Sequence, residues 1–140
     1  MDDQELLRQF RDCTLPFDEW THRGHVKVAF LTLRELGLEG SVARLRDEIQ
    51  AFNKAHNRPD GPAMGYNETT TVAFLWLVHA TMKAYGSTHP TPDADSFCDT
   101  HSHLLNKHIL RLFYSPERRM DPAAKYEFLE PDLAPLPHVD

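Results

Sequence analysis

Two histidines, His22 and His25, stand three residues apart at the point where an apolar helical pattern begins. This spacing places both imidazoles on one face of a helix. The same face continues through Val26, Ala29 and Leu33, so we expect the histidines to point toward the core. Two core-facing histidines at the start of a helix indicate either a metal site or a buried polar network.

Glu68, at the start of another long apolar pattern, could complete such a site. Val72, Leu75 and His79 follow it at helical spacing, which predicts that its side of the helix is buried. Two imidazoles and one carboxylate are the ligands of zinc hydrolytic sites and of Fe(II) oxygenase sites. The pattern therefore predicts a divalent metal, zinc or iron, held by His22, His25 and Glu68. Two alternatives stay open. The same side chains could form a hydrogen-bonded network in the core, or Glu68 could serve only to stabilise the start of its helix through the helix dipole.

Tyr66 and His101 are the candidate catalytic residues beside this metal set. Tyr66 precedes Glu68 by two residues, where its phenol could orient a substrate or donate to a developing oxyanion. The alternative for Tyr66 is an aromatic core residue. His101 is a candidate fourth ligand or acid–base group. Among the charges near the C-terminus, Lys125 and Asp132 are the ones most able to pair with the site, although a surface salt bridge is the simpler interpretation.

Helical periodicity extends through most of the chain and predicts the elements that position these residues. The patterns predict a short helix over residues 3–11 and a second helix from Thr21 to the region of Gly37. A third helix is expected after an N-cap at Ser41, a fourth from Glu68 or Thr69 to Tyr85, and a fifth from Asp93 or Asp95 to about Tyr114.

Strand-type alternation is absent, so the sequence predicts an all-α fold. We expect a single domain over residues 1–140, built as a bundle of four main helices with a short N-terminal helix. A short helical stretch near residues 122–128 precedes an extended, proline-rich C-terminal tail. This tail begins at about residue 129 and is expected to pack on the bundle.

Composition and charge limit the classes of partner. The chain is 41% hydrophobic, has a net charge of −6, and scatters its 15 Lys and Arg among 21 acids, which argues against nucleic-acid binding. No apolar run reaches the roughly 20 residues of a membrane span, and the first ten residues lack a signal peptide's apolar core. We expect a cytoplasmic protein with a small-molecule substrate and no membrane partner; a homo-oligomer stays open. The nine histidines are unusually many.

Four motifs follow one another along the chain: aromatic-Thr-His-x-x-His at residues 20–25, Tyr-x-Glu-Thr-x-Thr at 66–71, Tyr114-Ser115, and Pro-Asp-Leu-x-Pro-Leu-Pro at 131–137. Together they resemble a group of small, all-helical bacterial proteins of unassigned function. The similarity extends from about Phe17 to Pro137 and implies that the motif residues form a site, without implying a reaction. In that group the position of Asn67 is often histidine, so Asn67 here either weakens metal binding or shifts it to Glu68 alone.

The sequence thus leads to one main functional hypothesis and two alternatives. The main hypothesis is a metal-dependent enzyme that activates water or oxygen on a small organic substrate, since metal-bound water can reach a pKa near 7. The first alternative is a non-catalytic helical module that binds a ligand or a partner. The second is an interaction protein that responds to pH through its histidines.

Overall fold

The computed structural model describes all 140 residues and confirms the all-α fold. No β-strand is present. Short 3-10 turns connect the later helices, at Ser102–Leu105, Ile109–Leu112 and Pro122–Lys125. No helix combines the length and the apolar character that crossing a membrane requires. The five α-helices are α1 (Asp3–Arg11), α2 (His22–Ala55), α3 (Glu68–Tyr85), α4 (Ala94–Thr100) and α5 (Pro116–Arg119).

Helix α2 spans 34 residues and contains both the second and the third predicted helix. Gly37, with φ 74° and ψ −175°, interrupts it, and this backbone conformation is open almost only to glycine. Trp20, just before the first half, has its ring centroid 5.4 Å from that of Phe52 near the end of the second half. The two halves therefore lie side by side as an antiparallel pair.

The hydrophobic core joins this helical pair to α1, α3 and α4. Its largest fully buried side chains are aromatic, and each contributes roughly 1.5–3 kcal/mol by leaving water. Phe10 of α1 stacks on Trp20 with ring centroids 4.5 Å apart, and Phe30 of α2 stacks on Phe97 of α4 at 4.4 Å. These contacts fix the start of α2 against the rest of the protein.

Two predicted details of the helices are wrong. Ser41 is not an N-cap, because the helix resumes directly after Gly37 and leaves Ser41 buried in its interior. The fifth helix does not run to Tyr114, because α4 ends at Thr100 and is followed by 3-10 turns. One cause is local: the Asn106 side chain accepts a hydrogen bond from the backbone N–H of His108 at 2.9 Å, which competes with a helical path.

The C-terminal tail contacts the bundle through backbone acceptors and donors. The Tyr114 hydroxyl donates to the carbonyl of Leu129 at 2.8 Å, and the Trp76 indole N–H donates to the carbonyl of Pro137 at 2.6 Å. Between them, the N–H of Leu133 donates to the carbonyl of Phe113 at 2.9 Å. The extended segment is thereby held along its length despite its lack of helical hydrogen bonds.

Candidate ligand-binding cavity

A cavity of 670 Å³ lies between the two halves of α2, the first half of α3 and the loop at residues 58–67. This volume is within the range of small-molecule sites, which is roughly 300–1,000 Å³. Its inner wall is apolar and includes the buried residues Val26, Leu45 and Val78. Exposed lining residues such as Arg58 and Lys107 mark its open side. The cavity thus has an apolar interior and a polar opening.

Both histidines of the predicted site line this cavity. Thr21 begins α2 by accepting a hydrogen bond from the N–H of Gly24 at 3.1 Å, so His22 and His25 fall in the first two turns. The His25 ring meets the edge of Trp20 with centroids 4.0 Å apart, and the His22 ring meets Phe74 of α3 at 5.1 Å. Aromatic neighbours therefore hold both imidazoles in place.

His25 is accessible from the cavity, yet it behaves electrostatically as an interior group. Surrounding protein removes water from the ring, and with the nearby His22 this lowers the pKa of His25 from 6.5 to about 4. His25 is exposed as a residue, and it lines the cavity. Its ring nitrogens make no hydrogen bond within the chain. At neutral pH, His25 is an uncharged imidazole that can both donate to and accept from a ligand.

His22 is oriented by a backbone carbonyl. Its Nε2 lies 2.9 Å from the carbonyl oxygen of Leu104. A carbonyl only accepts, so Nε2 donates this hydrogen bond and Nδ1 is left for another partner. The two rings are almost perpendicular, at 88°, with centroids 6.2 Å apart. The pair therefore offers two differently oriented imidazoles to the cavity.

Glu68 does not join the histidines in this structure. Its carboxylate, only 8% exposed, accepts two hydrogen bonds from Arg46, at 3.0 and 2.6 Å, and one from the Tyr66 hydroxyl at 2.6 Å. The Arg46 guanidinium is the main reason that the pKa of Glu68 is lowered. No group of three or more His, Cys, Asp or Glu side chains is positioned to hold a metal ion. A buried carboxylate needs a partner, and Arg46, in place of the two histidines, is that partner here.

Tyr66 and Asn67 line the cavity at the start of α3. Burial, followed by its bond to Glu68, raises the pKa of the Tyr66 phenol, so the hydroxyl stays protonated at neutral pH. Asn67 is the N-cap of α3, because its side-chain oxygen accepts from the N–H of Thr70 at 2.9 Å. Asn67 therefore has a clear structural role as the N-cap of α3.

His101, the other candidate catalytic residue, lies outside the cavity. It is 5% exposed and packs between Phe97 and Tyr85, with ring centroids 4.9 and 5.2 Å away. Burial lowers its pKa, so it is an uncharged aromatic ring at neutral pH. The structure gives His101 a packing position, with no contact to His22 or His25.

Lys125 has a role that sequence reasoning missed. Its ammonium group is 6% exposed and donates to Asp60 Oδ1 at 2.6 Å, to the carbonyl of Met64 at 2.9 Å and to that of Tyr66 at 2.7 Å. The interpretation of Lys125 as part of a surface salt bridge is therefore wrong. Because an ammonium has three donors, all of them are used, and together they hold the loop that borders the cavity. Asp132, by contrast, accepts from the N–H and hydroxyl of Ser115, away from the cavity.

Comparison of the chain with protein-family models, with curated proteins and with solved structures finds no match. The resemblance to small bacterial proteins stays a prediction. The cavity is therefore the feature of this protein that bears on its function.

Proposed function

We propose that this protein binds a small, mainly apolar organic molecule in the cavity between α2 and α3. The observation that carries the proposal is the combination of 670 Å³ of mostly apolar space with two imidazoles, those of His22 and His25, at its wall. Small-molecule sites have this composition: apolar surface supplies affinity, and a few polar groups fix orientation. The Trp20 and Phe74 rings add flat surfaces on which an aromatic or unsaturated ligand can pack.

The polar part of the ligand is expected to meet His22 and His25. The free ring nitrogens of His25 can donate one hydrogen bond and accept another, while the bond of His22 Nε2 to Leu104 leaves Nδ1 of His22 for the ligand. A ligand hydroxyl or amide group would satisfy them. Because the ring positions are already fixed by Trp20, Phe74 and Leu104, little side-chain ordering is needed on binding.

The test is calorimetric titration with three naphthalene compounds of similar shape: 2-(1-naphthyl)ethanol, 1-naphthylacetate (the anion of 1-naphthaleneacetic acid) and 2-(1-naphthyl)ethylamine. We expect saturable binding of at least one of them. Ala29→Phe, which fills the cavity, should weaken that binding at least tenfold, whereas Ala51→Phe on the exposed side of the same helix should leave it unchanged. Thr70→Phe, another lining substitution, provides a second arm if Ala29→Phe does not fold. No saturable binding, or equal binding by the lining variants, would overturn the proposal.

A metal-dependent enzyme is the second candidate, favoured by the contact between His22 Nε2 and the Leu104 carbonyl. Histidine ligands of metals usually donate their second ring N–H to such an acceptor, which leaves the first nitrogen free for the ion. His22 and His25 would hold zinc or iron, and Glu68 could join them only by leaving Arg46. The ion would supply activation of water or oxygen toward the molecule in the cavity.

The fit of the pair to one ion is loose in this conformation. Two imidazoles on a tetrahedral zinc have ring centroids about 5 Å apart, because each nitrogen is about 2.0–2.1 Å from the ion. The observed 6.2 Å requires the rings to move closer. Titration of tag-free, chelator-treated protein with zinc tests the candidate. Stoichiometric binding that is lost in His25→Ala and kept in His108→Ala, an exposed control, would support it; absent or unaffected binding would exclude zinc from this pair.

A further inference from the structure

The cavity has a charge pattern opposite to that of the whole protein. The chain contains 21 Asp and Glu residues and has a net charge of −6, yet no acidic side chain lines the cavity. The only charged residues that line it are Arg58 and Lys107. Asp18 and Glu19, which lie between the lining residues Phe17 and Trp20, do not line it. The charge presented to a bound molecule is therefore entirely positive.

Carboxylates that border the cavity loop are each bound by a cation. Asp60 accepts from Lys125, and Glu68 accepts from Arg46. By contrast, the side chains of Arg58 and Lys107 make no hydrogen bond and no ion pair with any carboxylate of the chain. The local acids are thus occupied, and the two lining cations keep their full charge for a ligand.

Arg58 is held at the opening by an aromatic ring. Its guanidinium carbon lies 3.6 Å from the ring centroid of Phe17, a stacked position that leaves the N–H groups at the edge of the guanidinium free. Stacked guanidinium groups with free donors bind carboxylates well, because their planar fork matches two oxygens. Arg58 is therefore a fixed cation with unused hydrogen-bond donors.

Lys107 is placed near the histidine pair by the preceding turn. Leu104 of that turn accepts a hydrogen bond from His22, which ties residues 102–105 to the start of α2. Lys107 follows two residues after the turn and also lines the cavity. In addition, α2 and α3 both begin at the cavity, so the positive ends of their dipoles add a potential of the same sign.

From these observations we infer that the natural ligand is an apolar or aromatic molecule with one anionic group, a carboxylate, which binds at one of the two lining cations, Arg58 or Lys107. The apolar part occupies the inner wall, and the anion stays at the polar opening, where it needs little desolvation. This inference rests on the proposed ligand-binding function and adds the charge of the ligand to it. Since the protein is acidic overall, the preference for an anion depends on the local cations.

The naphthalene series tests the charge directly, because its three members carry a carboxylate, a hydroxyl and an ammonium group on a similar frame. We expect 1-naphthylacetate to bind about fivefold more tightly than the alcohol at low salt, the gain from about one exposed ion pair, and the amine to bind most weakly. The difference between acid and alcohol should shrink at 500 mM NaCl, because salt screens exposed charges.

Variants then identify the responsible cations. Arg58→Gln combined with Lys107→Gln should lower the ratio of acid to alcohol affinity to about one, whereas the exposed Lys83→Gln should leave that ratio unchanged. Circular dichroism checks that the double variant folds, and salt dependence of the wild type provides a readout that needs no variant. If the alcohol binds as tightly as the acid, or the double variant keeps the preference, the anion inference fails while the ligand-binding function stands. If no compound binds, the proposed function itself fails.

Discussion

The Arg46 guanidinium binds both oxygens of the Glu68 carboxylate, with Nε 3.0 Å from Oε1 and Nη2 2.6 Å from Oε2. The contact joins the second half of α2 to the first residue of α3. It also decides what Glu68 does in this protein. A carboxylate held by a bidentate arginine and a tyrosine hydroxyl is a structural group beside the cavity and is not free to bind a ligand or an ion.

Arg46→Met is expected to destabilise the protein by about 1–2 kcal/mol at pH 7, because it leaves a buried carboxylate with only the Tyr66 hydroxyl. The figure is modest because Arg46 is half-exposed and its charge is screened by water. Urea unfolding measures the change. Adding Glu68→Gln should recover part of the loss, since the amide needs no cation, whereas Glu68→Gln alone should also destabilise.

The ion pair between Arg46 and Glu68 also leads us to expect that the stability of the protein depends on pH. The pKa of Glu68 is lowered in the folded state, so its stabilisation is present above the unfolded value of about 4.5 and is lost as the pH falls through the folded value. The difference in unfolding free energy between the wild type and Arg46→Met should therefore be smaller at pH 3.5 than at pH 7. An equal difference at both values would contradict the assignment.

Lys125→Met is expected to loosen the loop that borders the cavity. The change removes three hydrogen bonds and leaves the carbonyl of Tyr66 without this donor, at a cost of about 1–3 kcal/mol, whereas the carbonyl of Met64 keeps the N–H of Gly61 at 3.3 Å. Hydrogen exchange of residues 60–66 should accelerate, and urea unfolding should show the loss of stability. Lys83→Met, on the exposed face of α3, is the matched control and should change neither measurement. Unchanged exchange in Lys125→Met would show that the loop is held by other contacts.

Gly37→Ala tests the break in α2. The added methyl group meets no atom within 4 Å, so any effect must come from the backbone, whose φ of 74° and ψ of −175° disfavour alanine by about 1–3 kcal/mol. Thermal or urea unfolding should show this loss. Gly61→Ala, whose methyl group would make an ordinary contact with Met64, is the control and should cost less. Equal stability of Gly37→Ala and the wild type would mean that the chain does not turn at this residue.

The lowered pKa of His25 predicts a second dependence of protein stability on pH, in a different pH range. Its folded pKa of about 4 lies below the unfolded value of 6.5, so between these values the unfolded chain binds a proton that the folded protein does not. Stability should therefore fall as the pH drops from 6.5 toward 4, and His25→Gln should reduce that slope. His138→Gln in the exposed tail is the control. NMR titration reads the His25 ring directly, and a midpoint near 6.5 would contradict its interior setting.

Local sequence signals predicted helix ends correctly where the same short-range interactions determine those ends in the structure. The predicted ends of α3, Glu68 and Tyr85, match the structure because capping depends on a few neighbouring residues, and Gly37 breaks α2 because only glycine adopts that backbone. The predicted helix through His101 failed because its later residues satisfy their backbone groups in 3-10 turns, packed under the C-terminal segment. Whether residues of modest helix propensity stay helical depends on such contacts.

By itself, the sequence determined the helical class, the sharing of one helix face by His22 and His25, and the burial of Glu68, because each follows from spacing along a single helix. The tertiary structure decided that Arg46 binds Glu68, that Lys125 holds the cavity loop, and that Arg58 and Lys107 line an acid-free cavity. These pairings join residues from 22 to 65 positions apart or from different elements. Periodicity shows which face of a helix is buried. Only the packing of the helices in three dimensions decides which residues of other elements that face contacts.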